Sequence, residues 1–129
     1  MCRSGETPLH QAIDQNDEEL VRILLSHGAN KNHQTHYGDT PLHRAALTGL
    51  GRMARLLISE QAQLELTNRD GNTPLHLAAM RGSAELVSLL LGSGAPPTAT
   101  NTKNETPLDK AKQDKNNSLI EIFERHNVK

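Results

Sequence analysis

The sequence is poor in aromatic residues and in cysteine. It contains no tryptophan, one tyrosine (Tyr37) and one phenylalanine (Phe123). Cys2 is the single cysteine, which excludes an internal disulfide framework and is typical of a reducing compartment. No apolar run approaches the ~18 residues of a membrane span, and the first residues lack the apolar segment of a signal peptide. We therefore expect a soluble intracellular protein, cytoplasmic or nuclear.

The sequence also lacks a strong charge of either sign. The formal net charge is -1, and acidic and basic residues are interspersed. This excludes a broad basic surface for nucleic acid or for an anionic membrane. The abundant residues are 19 leucines and 12 alanines among 129 residues. This composition favours closely packed helices over a sheet, and the length indicates one domain.

One tetrapeptide recurs at a constant step of 33 residues. Its four copies are Thr7-Pro8-Leu9-His10, Thr40-Pro41-Leu42-His43, Thr73-Pro74-Leu75-His76 and Thr106-Pro107-Leu108-Asp109. Threonine before proline is a good helix N-cap, and proline is a good first helical residue, so each copy predicts a helix start. The ends of these helices are expected near Asn16, Gly49, Gly82 and Lys115. At a common offset inside them stand Ala12, Ala45, Ala78 and Ala111.

A second helix is predicted in each unit. In the first unit its apolar face consists of Leu20, Val21, Leu24 and Leu25. Gly28 and Gly94 are placed to end this helix in units one and three, but Gln61 holds that position in unit two. A left-handed glutamine costs about 1 kcal/mol, so unit two is expected to be the least stable. The linker 66–72 contains an Asp-Gly pair suited to a hairpin-like turn.

The motif D-G-x-T-P-L-H-x-A-A-x-x-G at this period resembles the ankyrin repeat family over nearly the whole chain. The resemblance implies an all-α solenoid of four helix-turn-helix units with hairpin-like loops. It implies one domain, residues 1–129, with units at approximately 3–35, 36–68, 69–101 and 102–129. The last unit has Lys110, Lys112, Gln113 and Asp114 where unit three has Leu77, Ala79, Met80 and Arg81, and it is expected to be a C-terminal cap.

The resemblance also implies a structural role for the repeated motif. Each motif histidine is expected to hydrogen-bond the neighbouring turn and to fix the geometry between units. The structural motif residues are Thr7, His10, Thr40, His43, Thr73, His76 and Thr106.

Nothing in the sequence indicates catalysis. The seven histidines include His33 and His36, whose spacing could hold a metal weakly, but no cysteine or acidic partner stands at ligand spacing. An ordinary solvent-facing turn is the favoured interpretation there. The sequence contains no nucleophile elbow, phosphate-binding loop or HExxH motif. We therefore predict no enzyme activity, no cofactor and no metal site.

The remaining function is recognition of another protein. The resemblance implies that turn tips and first helices line a concave groove that binds a partner peptide or protein surface. The partner-binding candidates are Arg3, Glu6, His36, Tyr37, Asp39, Leu47, Thr48, Arg69, Asp70, Asn72, Met80, Arg81, Lys103 and Glu105. Tyr37, Leu47 and Met80 are the apolar members, beside Arg69 and Arg81, and interface hot spots favour Tyr and Arg. In the competing interpretation, Leu47 and Met80 continue the core face.

Two other functions remain open. The chain could be a targeting or substrate-recruiting segment of a larger enzyme or effector, or a structural spacer. We expect a monomer that binds neither nucleic acid nor membrane. Asn32 has a context similar to asparagines that are hydroxylated in ankyrin repeats of animals, although an unmodified loop asparagine is favoured.

Overall fold

The computed structural model describes residues 5–127. Over this range the chain forms eight helices and no strand, which confirms the all-α class. The helices are α1 Pro8–Asp14, α2 Glu18–Ser26, α3 Pro41–Thr48, α4 Gly51–Ser59, α5 Pro74–Arg81, α6 Ala84–Gly92, α7 Pro107–Gln113 and α8 Asn117–Asn127. None of these helices combines the length and the apolar composition that a bilayer span requires.

The helices form two rows. The first helices pack in the order α1, α3, α5, α7, and the second helices pack in the order α2, α4, α6, α8. Each first helix also packs on the second helix of its own unit. The core lies between the rows and includes the four alanines at the common offset, which are at most 1% exposed: Ala12, Ala45, Ala78 and Ala111. Their small side chains allow the first helices to approach one another closely.

The repeated threonine caps every first helix. In unit two the Thr40 hydroxyl accepts a hydrogen bond from the His43 N–H at 3.2 Å, while Nδ1 of His43 accepts one from the Thr40 N–H at 3.1 Å. Two backbone donors at the helix start are thus satisfied reciprocally, as in a capping box. In unit four Asp109 replaces the histidine, and its carboxylate accepts from the Thr106 N–H at 3.0 Å.

The same histidines join each unit to the next, as the resemblance implies. Nε2 donates to a turn carbonyl of the following unit: His10 to Asp39 at 3.0 Å, His43 to Asn72 at 2.8 Å and His76 to Glu105 at 2.8 Å. Because Nδ1 accepts from a backbone N–H, the ring proton is on Nε2 and the imidazole is neutral. We call these three links, through His10, His43 and His76, the histidine relay. In unit four the equivalent residue is Asp109, which has no imidazole.

Asparagine side chains hold the turns. Oδ1 of Asn68 accepts from the N–H groups of Asp70 and Asn72, each at 3.0 Å, and its Nδ2 donates to Asp39 of the preceding unit at 3.2 Å. Asn101 repeats this pattern one unit later. The turns also bond directly, since the Arg69 N–H donates to the Tyr37 carbonyl at 2.9 Å. The predicted hairpin-like loops are therefore hydrogen-bonded turns rather than strands.

The second helix of unit two, α4, has weaker ends than the second helices of units one and three. Gly28 and Gly94 follow their second helices with φ angles of 88° and 102°, and Gln61 is held at φ 67°. The N-cap of α4 is Leu50, which makes no side-chain capping bond. In the structure, α4 thus combines an uncapped start with a left-handed glutamine after its end.

Substitutions at the residue that follows the second helix test the cost of a left-handed glutamine. We expect Gln61→Gly to raise the free energy of unfolding by about 1 kcal/mol, and Gly28→Gln to lower it by a similar amount. A Cβ at Gly28 would meet no atom within 4 Å, so the effect there is conformational and not steric. Urea denaturation of both variants measures it. Unchanged stability in both would contradict this account of unit two.

The histidine relay makes stability depend on pH. Burial lowers the pKa of His10, His43 and His76 from the ordinary value of 6.5, against the opposing effect of their carbonyl bonds. Their contribution is therefore complete above the unfolded pKa of 6.5 and is lost as the pH falls from 6.5 towards the lower folded values. Each histidine contributes a slope of up to about 1.4 kcal/mol per pH unit in that window.

Denaturation curves recorded from pH 7.5 to pH 5 should therefore show falling stability. His43→Gln should have a shallower slope than the wild type, because one of the three buried imidazoles no longer titrates. A wild-type stability that stays flat across this range would contradict the relay of neutral histidines.

Candidate functional site

An open depression of about 450 Å³ lies where the turns meet the first helices of units two and three. We call it the groove. Its lining residues are Tyr37, Asp39, Leu47, Asn68, Arg69, Asp70, Asn72, Leu77 and Met80. Seven of the sequence-derived candidates are among them, and the fold thus brings together residues that are up to 43 positions apart in the sequence.

Three large apolar side chains of the groove are exposed to solvent. The exposed fractions are 62% for Tyr37, 47% for Leu47 and 43% for Met80. The interpretation of Leu47 and Met80 as core residues is therefore wrong. Leu47 on α3 and Met80 on α5 occupy equivalent positions one repeat apart, and Leu77, at 5% exposed, is the buried apolar residue beside them. These residues provide an apolar surface that the core does not use.

The charged side chains of the groove differ in how free they are to contact a partner. Asp39 is partly buried, and its carboxylate accepts from Asn68. Arg69 and Asp70 are exposed, and over residues 5–127 neither side chain forms an ion pair. The Arg69 guanidinium can therefore offer its donors to an external carboxylate or carbonyl.

A smaller depression of about 140 Å³ continues from the groove past Met80. Its lining residues are Asp70, Asn72, Met80, Asn101, Thr102, Lys103, Glu105 and Lys110. Lys103 is exposed here and, within the described part of the chain, makes no ion pair.

The carboxylate of Glu105, by contrast, is bonded to other side chains of the protein. It accepts from Gln113 at 2.7 Å, from Asn101 at 3.1 Å and from Lys110 at 3.0 Å. These donors lower the pKa of Glu105 from 4.5 to about 2. Glu105 therefore stays ionised and fixes the turn of unit four, which leaves it little capacity for an external partner.

Asn72 is likewise a link within the fold. It was a candidate contact, but it is 6% exposed, and its Oδ1 accepts from Asn101 at 2.9 Å. Its carbonyl accepts from His43 of the preceding unit. Asn72 lines the groove, but its polar groups hold the turns together.

Three candidates lie away from the groove lining. Glu6 is partly buried and accepts from Arg44 at 2.7 Å, and the same guanidinium also binds Asp14. The Thr48 hydroxyl donates to the Arg44 carbonyl at 2.7 Å. The guanidinium of Arg81 lies over the end of α3, where a Cβ on Gly49 would be 3.0 Å from its Nε. Arg81 is exposed and is not part of the groove lining.

The remaining candidates lie at the edge of the described chain or in the first loop. His36 is exposed, and its ring lies against Gly5. Nε2 of His33 donates to the Gly5 carbonyl at 3.1 Å. Oδ1 of Asn32 accepts from the Gln63 N–H at 2.9 Å and joins two loops. Arg3 lies outside the described residues.

Asn68 and Leu77 line the groove, and Asn101 and Lys110 line the smaller depression, although the sequence did not indicate them as contacts. A signal for the asparagines was present, because Asn68 and Asn101 are one period apart and each precedes its Thr-Pro motif by five residues. An asparagine at such a place often organises a turn through its side chain. The sequence contains no such signal for Lys110, because its place in the lining follows from its ion pair with Glu105.

Comparison with known proteins agrees with the geometry. The family model described as ankyrin repeats (three copies) matches residues 1–68 and again residues 49–127. A search of curated proteins found no match. Ankyrin repeats generally are protein–protein interaction modules, and the fold is typically non-catalytic. With two matches that together span nearly all of its length, the chain belongs to the ankyrin repeat family.

Proposed function

We propose that this protein binds a segment of a partner protein in the groove. The partner inserts an apolar side chain among Tyr37, Leu47 and Met80 and places a carboxylate or a backbone carbonyl against Arg69. The observation that carries this proposal is the exposure of three large apolar side chains around one depression.

The apolar contact supplies most of the binding free energy. Tyrosine and arginine near the centre of an interface are frequent hot spots, because they combine a large contact area with directed hydrogen bonds. Covering Leu47 and Met80 removes apolar surface from water, at about 25 cal/mol for each Å². Single exposed apolar residues need no explanation, but these three line the same depression.

Arg69 orients the bound segment of the partner in the groove. Its side chain has no partner within residues 5–127, and its backbone N–H is bonded to Tyr37, so the base of the side chain is fixed. Arginine donors form charge-assisted bonds with carboxylates, often through two parallel contacts. Exposed Asp70 lies in the same lining and disfavours a partner carboxylate placed on its own side of the groove.

The groove needs little rearrangement to bind. Its turns are bonded to one another and to the histidines of the preceding unit. A preorganised surface loses little conformational entropy on binding, which favours affinity. In this proposal the relay contributes to recognition indirectly, by holding the turns.

Selection from a phage-displayed library of random peptides tests the proposal. Peptides selected on the wild-type chain should carry an apolar residue that is essential for binding. For such a peptide we expect Tyr37→Ala, Leu47→Ala and Met80→Ala each to weaken binding by about 1 to 3 kcal/mol, roughly 5- to 150-fold in Kd. The free energy of unfolding should change by less than about 0.5 kcal/mol, because these side chains are exposed.

Ile23 provides a matched control. It is 48% exposed, close to the value for Leu47, but it lies on α2 outside the groove. Ile23→Ala should leave peptide binding unchanged. Peptides whose affinity depends on Ile23 and not on Met80 would refute the groove as the binding site. Unfolding caused by Leu47→Ala or Met80→Ala would show instead that these residues support the core.

A further inference from the structure

A second depression, of about 300 Å³, lies on the second helices and shares no residue with the groove. We call it the arginine cradle. Its lining residues are Glu18, Arg22, Arg52, Arg55, Leu56 and Ser59. Three of these six residues are arginines, contributed by α2 and α4. None of these guanidinium groups belongs to the groove.

The positive charge of the cradle is only partly compensated. Arg22 donates Nε and Nη2 to one oxygen of Glu18, at 3.2 Å and 2.7 Å, so its Nη1 is not used in that pair. Arg55 reaches Glu85 at 3.5 Å, and because both side chains are about two-thirds exposed, such a pair contributes little. Arg52 forms no ion pair within the described chain. The cradle therefore presents unpaired guanidinium donors in a shallow concavity.

The positive charge is also confined to one small area. Arg52 is flanked at the equivalent positions of units one and three by Glu19 and Glu85. The positions equivalent to Arg22 and Arg55 in units three and four are Ser88 and Glu121. A polynucleotide or a membrane surface would meet these acids, because both are extended anions. A compact anion would meet the three arginines and, among the acids of the lining, only Glu18, which is paired with Arg22.

A phosphate group on a protein side chain has the chemistry that this cradle fits. A phosphomonoester carries a charge of about -1.5 to -2 and three acceptor oxygens, so it can use several guanidinium groups at once. A carboxylate is satisfied by one arginine through two parallel bonds. The lining is exposed, at 61% for Arg22 and 63% for Arg55, whereas sites for free small molecules enclose most of the ligand.

We propose that the arginine cradle binds a phosphorylated serine or threonine of a partner protein. The phosphate lies between Arg52 and Arg55, and Arg22 is oriented towards it by Glu18. A residue next to the phosphorylated one packs on Leu56, which is partly buried in the floor of the cradle. This site is independent of the groove, so one chain can hold two segments at once.

Binding of fluorescein-labelled peptide mixtures to the full chain tests the proposal by fluorescence anisotropy. One mixture has phosphoserine at a fixed central position between random flanks, and the matched mixtures have serine or glutamate there. We expect the phosphoserine mixture to bind about tenfold more tightly than the serine mixture, with glutamate between them. Arg52→Gln and Arg55→Gln should each remove most of this difference.

Arg125→Gln is the matched control. Arg125 is exposed on α8 and pairs with Glu121 four residues earlier, as Arg22 pairs with Glu18, but it lies outside the cradle. It should leave the phosphate-dependent difference unchanged. Equal binding of the phosphoserine and serine mixtures would overturn the proposal, and so would an equal loss in Arg125→Gln.

Two further probes distinguish the source of the anion. Inorganic phosphate that binds as tightly as the phosphoserine mixture would show a site for a free anion and would overturn the assignment to a partner protein. Vesicles of phosphatidylserine in phosphatidylcholine are expected not to bind, because the flanking acids repel an extended anionic surface. Binding to vesicles that is lost in Arg52→Gln would replace the phosphoprotein with a membrane.

Discussion

The structure depends on one hydrogen bond that is made three times, from a neutral histidine of one unit to a turn carbonyl of the next. A unit of two short helices is too small to bury its own apolar faces, so each must dock on its neighbours. The buried Leu and Ala residues favour docking but do not by themselves orient it. The imidazole orients it, because one nitrogen accepts at the helix start of its own unit and the other donates to the next turn.

This arrangement explains why two different surfaces remain for recognition. Fixing the turns against the first helices leaves the final part of α3 and α5 uncovered, and Leu47 and Met80 lie there. The second helices form the other row, and the residues at their exposed positions differ from unit to unit. At one of these positions the residue is Glu19 in the first unit, Arg52 in the second and Glu85 in the third. The groove thus uses residues at repeated positions, whereas the cradle results from a departure from the repeat.

This contrast between repeated positions and departures from the repeat also explains how much could be predicted from the sequence. Helix starts and threonine caps follow from a local motif and its period and were predicted from them, whereas the histidine links were predicted from the family resemblance. The grouping of Tyr37, Leu47 and Met80 around one groove was also predicted, although their role in binding stays a prediction. The bonds that engage Asn72 and Glu105 were missed for different reasons. The donor to Asn72 is Asn101, whose one-period spacing from Asn68 was a signal that was not used. The donor to Glu105 is Gln113, which stands where units two and three have Leu47 and Met80, so the repeat gives no indication of this bond. The arginine cradle was missed because Arg52 and Arg55 differ from the equivalent residues of other units.

If the histidine relay holds the turns rigid, the groove exists before a partner arrives. Residue-resolved amide hydrogen exchange tests it most directly, at the Arg69 and Gly71 N–H groups, which donate to Tyr37 and Asn68. Both amides should be protected in the wild type, and both should lose protection in His43→Phe while the amides of α3 stay protected. Rapid exchange of Arg69 and Gly71 in the wild type, with the helices protected, would contradict it.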